Sequence, residues 1–321
     1  MRALLTALSI LALLTAGCLG SDSGTAPGSK TTDKPLGATE APWWKEGDYF
    51  TFEVSRNGEA PRTQKLVTFD NDSKTAHFWL GVADRNLALE HALYDTNPLL
   101  GRIHYYHLSP HERGMHAVMY SWPLEDGKTF DGSLFDRNWS MKVKADTVRT
   151  PKGSEPGYVV TGTSPDDGAS IRYNYVPSVK WFTELEVKSA NGKPLLSAKL
   201  KESGTDAKGT YHFLRGRDFY KRIQDTASGT REDPVEVGED VNSLAVKLDL
   251  KTSGPLQVQL LDPSGRVQYS GGTASPTGGT VKDAKEIPTP ARGTWTLRYV
   301  ATGSYDGDAL VIGLIEYKGT L

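Results

Sequence analysis

The residues that could do chemistry are a group of histidines: His104, His107, His111 and His116, with Glu112 among them. A zinc site needs three or four such ligands that converge on one point. Their spacing does not match the helical histidine pair with a glutamate between them that metalloproteases use. Pro110 interrupts a helix between the second and third histidines, and in an extended strand the first two point to opposite faces. We therefore predict surface or groove-lining histidines, with a metal-dependent hydrolase as the second alternative below.

Other catalytic patterns are missing from the sequence. The acidic stretches 70–72 and 306–308 lack the twelve-residue loop of a calcium-binding hand, and tight turns explain them better. The sequence has no G-x-S-x-G nucleophile elbow and no glycine-rich phosphate loop after a strand. Its one cysteine is Cys18. We accordingly predict no catalytic residue, no enzyme activity and no cofactor.

Two asparagines lie in N-x-S sequons, Asn71 before Asp-Ser and Asn138 before Trp-Ser. Such sequons are acceptors for N-glycosylation when a glycosylating host exposes them on the surface. Both are glycosylation candidates.

The first eighteen residues combine a charge, an apolar run and small residues. Arg2 precedes the apolar stretch Ala3–Leu14, and Thr-Ala-Gly leads into Cys18. This order is that of a secretory signal, and the apolar run is too short to span a bilayer. The Ala-Gly-Cys ending resembles the lipobox of prokaryotic lipoproteins, although threonine stands at the usual leucine position. The resemblance implies cleavage before Cys18 and lipidation of its thiol.

Chemistry favours a modified Cys18. An unpaired thiol in an exported protein is reactive unless it is capped, and a lipid thioether would cap it. Two acyl or alkyl chains anchor a protein stably, whereas one chain binds only marginally. We predict membrane attachment through Cys18, on the outer face of the cytoplasmic membrane or at the cell surface. The alternative is a signal peptide or signal anchor that carries no lipid.

The segment 19–42 is rich in Gly, Ser, Thr, Pro and Ala, with little apolar bulk. It cannot bury enough surface to order itself, so we predict a flexible tether between the signal and the folded body.

The remainder is predicted to be mainly β. Residues 43–225 alternate apolar and polar positions in eight to ten strands, with Asn57-Gly58 and Asn191-Gly192 as hairpin turns. Ala83–Tyr94 is the single predicted helix. These features indicate a curved antiparallel sheet or open barrel. Six tryptophans fall in this region, and we assign most of them to core packing: Trp43, Trp44, Trp79, Trp122, Trp139 and Trp181. An aromatic-lined concavity for an apolar or glycan ligand is the alternative.

A polar segment near residue 230 predicts a boundary, followed by a small jelly-roll-like β-sandwich over 232–321. Alternation recurs along this part in six or seven short strands. The last strand, Ala309–Tyr317, is apolar on both faces. A strand in the middle of a sandwich has that pattern.

The composition of the chain argues against one class of binding partner, nucleic acid. Charged residues make up 24% of the chain and the formal net charge is −2, so we expect no nucleic-acid partner. A single cysteine allows no intramolecular disulfide, and packing alone must supply stability. The 33 glycines and 18 prolines suit a β-rich chain with many turns.

Two stretches resemble known families. The segment 122–130 (WPLEDGKTF), with TPKG at 150–153 and YNYVP at 173–177, is similar to segments of uncharacterised prokaryotic envelope lipoproteins. The implied fold resembles the half-barrel of Lol-type lipoprotein carriers, which have an apolar groove. The segments LLDPSG at 260–265 and GTWTL at 293–297 resemble the sandwiches of pre-peptidase C-terminal and convertase P-domain type. That resemblance implies architecture and not proteolysis.

We therefore predict a lipid-anchored, extracytoplasmic lipoprotein that acts as a non-enzymatic binding module. Fold analogy points to a hydrophobic ligand or lipid in the first domain, or to an envelope component. The first alternative is a structural or adhesive surface protein that docks through its C-terminal sandwich. The second is the metal-dependent hydrolase on the histidine cluster between His104 and His116.

Overall fold

A computed structural model describes residues 36–110, 117–225 and 229–321, with 217–225 described through the backbone alone. The predicted mainly β fold is confirmed. The regular elements of these residues are β1 (Tyr49–Arg56), β2 (Arg62–Asp72), β3 (His77–Gly81), α1 (Arg85–Tyr94), β4 (Gly101–His104), β5 (Thr129–Leu134), β6 (Arg137–Thr150), β7 (Gly153–Thr163), β8 (Ser170–Tyr175), β9 (Glu184–Lys188), β10 (Pro194–Gly204), β11 (Thr210–Asp225), β12 (Gly229–Val237), β13 (Ser243–Thr252), β14 (Leu256–Leu261), β15 (Val267–Thr273), β16 (Gly279–Pro288), β17 (Gly293–Ala301) and β18 (Tyr305–Thr320).

The first ten strands form one antiparallel sheet in the order β4-β3-β2-β1-β10-β9-β8-β7-β6-β5. The chain begins at the centre with β1 and runs outward to β4. It then crosses to the opposite edge at β5 and returns strand by strand to β10, which pairs with β1 so that Phe52 lies opposite Leu200. The edge strands β4 and β5 are not hydrogen-bonded to each other, so the sheet is open.

The hairpin between β1 and β2 turns at Asn57 and Gly58, as the sequence predicts. Their φ angles are 51° and 78°. Positive φ at both central residues is the requirement of a type I′ turn, which asparagine and glycine tolerate best. Local sequence therefore accounts for the conformation of this turn.

Aromatic side chains fill one face of the ten-stranded sheet. Trp44 and Trp181 are completely buried and meet edge to face, with ring centroids 4.8 Å apart. Each indole N–H has a carbonyl partner, Lys180 O at 3.0 Å for Trp44 and Leu108 O at 3.2 Å for Trp181. Burying two indoles without leaving a donor unpaired makes this cluster the centre of the core.

The short helix α1 follows β3. The Asp84 side chain accepts a hydrogen bond from the Asn86 N–H and so caps the helix start, and Asp95 ends it in the left-handed conformation. Within the helix only Ala88 is fully buried, and the helix packs against β11. Within the described part of the chain, no helix combines the length and apolar character that a membrane crossing requires.

The last eight strands form two four-stranded sheets, β11-β18-β13-β16 and β12-β17-β14-β15. Apolar side chains between them, including Leu244, Trp295 and Val311, make a second core. The predicted sandwich began at residue 232, but β11 pairs along its whole length with β18. The strand Thr210–Asp225 therefore belongs to these sheets and not to the first domain, in which the sequence boundary at 225 had placed it.

The last strand, β18, is buried on both faces between Val311 and Leu314. Val311 points into the sandwich core, whereas Ile312 and Leu314 join the aromatic core of the ten-stranded sheet. This explains the apolar residues on both faces that the sequence shows for the last strand. Because the two cores share this sheet, the residues from 36 onward cluster as one compact unit.

Residues 36–44, which we call the docked segment, lie against the body. Thr39 pairs with Leu124 through two backbone hydrogen bonds of 2.9 Å, and the Tyr158 hydroxyl donates to Gly37 O at 2.6 Å. The predicted tether over 19–42 is therefore shorter at its C-terminal end, because backbone pairing and the burial of Trp44 fix the final part. Its residues before 36, and the predicted signal 1–18, lie outside the described residues.

Candidate functional site

The predicted histidine cluster is only partly described. His104 ends β4 and His107 follows it, while His111, Glu112 and His116 lie outside the described residues. The sequence predicted opposite faces for the first two, but their rings stack with centroids 5.2 Å apart. The reason is that the strand ends at His104 and the chain turns back, with the Leu108 N–H donating to the His104 carbonyl at 2.9 Å.

Strand register adds a histidine that sequence spacing could not predict. His77 on β3 lies directly opposite His104 on β4, and their ring centroids are 5.3 Å apart. His107 is oriented by a contact of 3.0 Å between its Nδ1 and the Tyr120 carbonyl oxygen. Among the described residues, however, no three His, Cys, Asp or Glu side chains are placed to hold a metal ion.

The two sequon asparagines lie on strands. Asn71 is near the end of β2 and Asn138 is at the start of β6. Asn138 is exposed and its side-chain amide donates to Asp166 at 3.3 Å, whereas Asn71 is half-buried. Asn138 is thus the more accessible of the two acceptors. Cys18, the predicted lipidation site, lies outside the described residues.

The predicted apolar groove is occupied by the protein's own side chains. Tyr120 and Tyr173 are completely buried and meet edge to face at 5.3 Å. The Tyr120 hydroxyl donates to Asn174 O at 2.6 Å. Burial raises the pKa of both phenols well above the ordinary value, so both stay neutral hydrogen-bond donors. The aromatic side chains of this face form a packed core, as predicted for most tryptophans. The exceptions are Trp43, with 54% of its surface exposed, and Trp122, which is half-buried.

A groove does open elsewhere, between the β1–β2 hairpin and the end of α1. We call it the hairpin–helix groove. Its volume is about 560 Å³. Its main lining residues are Arg56, Asn57, Arg62, Glu90, Tyr94 and Asp95.

Ion pairs across this groove tie the hairpin to the helix. Arg56 Nη1 lies 2.7 Å from Asp95 Oδ2, and Arg62 donates to Glu90 Oε1. The hydrogen bond from Arg62 and the negative charge of Glu90 raise the pKa of that guanidinium. Ion pairs as exposed as these add little to the stability of the fold. They do orient the planar guanidinium and carboxylate groups that line the groove.

An aromatic ring stands beside these charges. Tyr94 is the last residue of α1 and is 50% exposed. Lys247 Nζ lies 4.4 Å from the centroid of its ring and donates to Leu93 O at 3.0 Å. The sequence marked the helix and the hairpin separately, but nothing in it indicated that they face each other. No local signal could have found this groove.

A second groove, of about 440 Å³, lies on the outer face of β6–β9. Hydroxyl and charged side chains line it, including Ser140, Lys142, Thr161, Arg172 and Glu186. It has no aromatic residue in its lining. Both grooves thus have a mixed polar and apolar lining and open at the surface, in contrast to the predicted apolar cavity.

Comparisons with known proteins identify no relative. No protein-family model matches the chain, and no curated protein sequence matches it either. Among solved structures, an insecticidal delta-endotoxin from Bacillus thuringiensis aligns with TM-score 0.24 and 7% identity, over 84% of this chain and 52% of the toxin. This chain therefore spans about half the length of that toxin.

Two glycoside hydrolases align still more weakly. An exo-β-1,3-galactanase from Phanerochaete chrysosporium gives TM-score 0.20 and 9% identity, over 81% of this chain and 68% of the enzyme. An arabinoxylan arabinofuranohydrolase from Bacillus subtilis gives TM-score 0.17 and 8% identity, over 81% and 64%. Likenesses with such low TM-scores carry no argument about this chain.

Proposed function

We propose that this protein is a lipid-anchored, extracytoplasmic lipoprotein whose folded body is a non-enzymatic binding module. The support for the anchor is the sequence of the first eighteen residues, with a short apolar run that ends at the only cysteine. A diacylated or dialkylated Cys18 would hold the protein at a membrane surface without a spanning helix.

The spacing between Cys18 and the folded body fits this role. Residues 19–35 separate the cysteine from the docked segment. A flexible chain of that length would have an r.m.s. reach of about 20–25 Å, and even a fully extended one would span no more than about 60 Å. A lipid on Cys18 would therefore keep the body close to the membrane that carries it.

The observation that carries the binding role is the hairpin–helix groove. Its charged side chains are held by ion pairs between α1 and the hairpin, and both elements contribute apolar side chains to the core, Ala88 from α1 and Val54 from β1. Sites of a few hundred Å³ with convergent polar groups are typical of small-ligand binding. We place the binding role at the surface because packed aromatic side chains occupy the inner face of the sheet.

The anchor is tested by fractionation of the full-length protein expressed in a prokaryote that lipidates exported cysteines. In cells grown with a radiolabelled lipid precursor, we expect label on the wild-type chain in the membrane fraction and none on Cys18→Ser. The replacement Ser23→Ala, in the same segment, is the matched control and should be labelled as the wild type is. A wild-type chain that is released into the medium would overturn the anchor.

A further inference from the structure

We propose that the hairpin–helix groove binds a short neutral glycan. This inference rests on the binding role proposed above and names the ligand class of the same site. A sugar ring presents two chemically distinct surfaces, an apolar face of C–H groups and a rim of paired hydroxyls. The groove offers a partner for each.

The partner for the apolar face is Tyr94. Half of its surface is exposed although it adjoins the packed end of α1. An exposed ring with a polar tip is well suited to contact with an amphipathic ligand, because the ring supplies area with little conformational entropy to lose. The ammonium of Lys247 sits over the same ring, and its hydrogen bond to Leu93 O holds it there. Tyr94 is therefore positioned before any ligand arrives.

The partners for the hydroxyl rim are the planar side chains of the groove. A guanidinium has five N–H donors in a fixed fork, and a carboxylate has two acceptor oxygens. Neighbouring hydroxyls on a sugar match this paired geometry. In the groove, Arg56 and Asp95 form one such pair, and Arg62 and Glu90 form another. Each ion pair leaves N–H donors of the arginine and lone pairs of the carboxylate for a ligand. Because the pair already orients both side chains, binding a ligand costs less conformational entropy.

The charge balance of the groove favours a neutral ligand. Arg56, Arg62 and the neighbouring Lys247 supply three positive charges, while Glu59, Glu90 and Asp95 supply three negative charges. An acidic or basic ligand would gain nothing from the balanced field and would lose hydration. The groove on the outer face of β6–β9 differs in two ways: its cationic side chains outnumber its carboxylates, and no aromatic residue lines it.

The test uses the full-length chain in detergent. It is screened against immobilised gluco-, manno- and galacto-oligosaccharides, with oligogalacturonate, sulfated oligosaccharides and acidic and basic peptides as charged probes. Affinity for the best probe is then measured by calorimetry. We expect at least one neutral oligosaccharide to bind, with an affinity that changes less than twofold between low and high salt.

Variants assign the binding to the groove. We expect Tyr94→Ala and Arg62→Gln each to weaken binding at least tenfold, with an unchanged melting temperature because both side chains are about half exposed. Tyr106→Ala is the matched control: Tyr106 is another exposed tyrosine, with 65% of its surface accessible, and lies outside the groove lining. Its removal should leave the affinity unchanged.

Three outcomes overturn the inference: no neutral probe binds at millimolar concentration, only charged probes bind, or Tyr94→Ala binds as the wild type does. These results are independent of the anchor. Glycan binding by a chain without lipid on Cys18 would remove the anchor and leave the groove assignment in place. Cleavage of the bound oligosaccharide would remove the non-enzymatic role and leave the groove assignment as well.

Discussion

Arg85 at the start of α1 holds Glu286 on β16 with two hydrogen bonds, from Nη1 at 3.0 Å and from Nη2 at 2.7 Å. Its Nε donates to Glu316 on β18 at 3.0 Å. The hydrogen bond from Arg85 lowers the pKa of Glu286 despite the opposing effect of burial. One arginine thus joins the helix beside the ten-stranded sheet to two strands of the sandwich.

Arg85→Gln should lower the free energy of unfolding by about 2 kcal/mol, because it leaves two partly buried carboxylates without their cation. Urea denaturation of the two proteins measures this. Arg137→Gln is the control. Arg137 pairs with one carboxylate, Asp167, which is 46% exposed against 18% for Glu286 and 20% for Glu316, so its loss should cost less than about 0.5 kcal/mol. Equal effects of the two substitutions would show that Arg85 is an ordinary surface ion pair.

His91 should make the protein less stable in mild acid. Burial lowers its pKa to about 4, although the nearby charge of Asp95 acts in the opposite direction. Its Nδ1 accepts a hydrogen bond from the Asn97 N–H at 3.2 Å, which requires that nitrogen to be unprotonated. The unfolded chain, with an ordinary histidine pKa near 6.5, therefore binds the proton more readily.

The direction of the pH dependence follows from this difference in pKa between the folded and the unfolded chain. Because the unfolded state takes up more protons, the free energy of unfolding falls as the pH drops from about 6.5 to about 4, by up to ~3 kcal/mol for this one group. Urea titrations at several pH values measure the slope. His91→Asn keeps an acceptor for the Asn97 N–H but does not titrate, so it should flatten the curve over that range. A slope that His91→Asn leaves unchanged would mean that other groups cause it.

Gly157 on β7 should not tolerate a side chain. A Cβ atom there would lie 2.5 Å from Tyr175 O and 2.9 Å from Val148 Cγ2. The nearest atom is backbone within the sheet, so it cannot move away cheaply, and Gly157→Ala should cost about 1–3 kcal/mol. Gly37→Ala is the control, since no atom lies within 4 Å of its Cβ position. Thermal denaturation compares the two, and equal melting temperatures would contradict the close packing.

The local sequence pattern predicts where strands, turns and the helix lie, but it does not predict which strands pair with each other. The Asn57-Gly58 turn and the helix ending at Tyr94 were predicted because turn geometry and helix propensity act over a few residues. The pairing of β1 with β10, and of β11 with β18, joins strands that are far apart in the chain. Alternation tells which face of a strand is buried, but it does not tell which strand lies beside it.

The candidate site shows the same limit. The cluster around His104 was visible as a sequence of histidines, but His77 joins it only through the register of β3 with β4. The hairpin–helix groove depends on how α1 packs, which places Glu90 and Asp95 opposite two arginines. The similarities to Lol-type carriers and to pre-peptidase C-terminal domains stay predictions.

The central claim is that the body is anchored through a lipid on Cys18. Mass spectrometry of the N-terminal peptide from protein purified out of membranes tests it most directly. We expect the mature chain to begin at Cys18 and to carry two acyl or alkyl chains on its sulfur. An N-terminal peptide that contains Cys18 as an unmodified thiol, or a mature chain that begins after it, would show that the body is not anchored in this way.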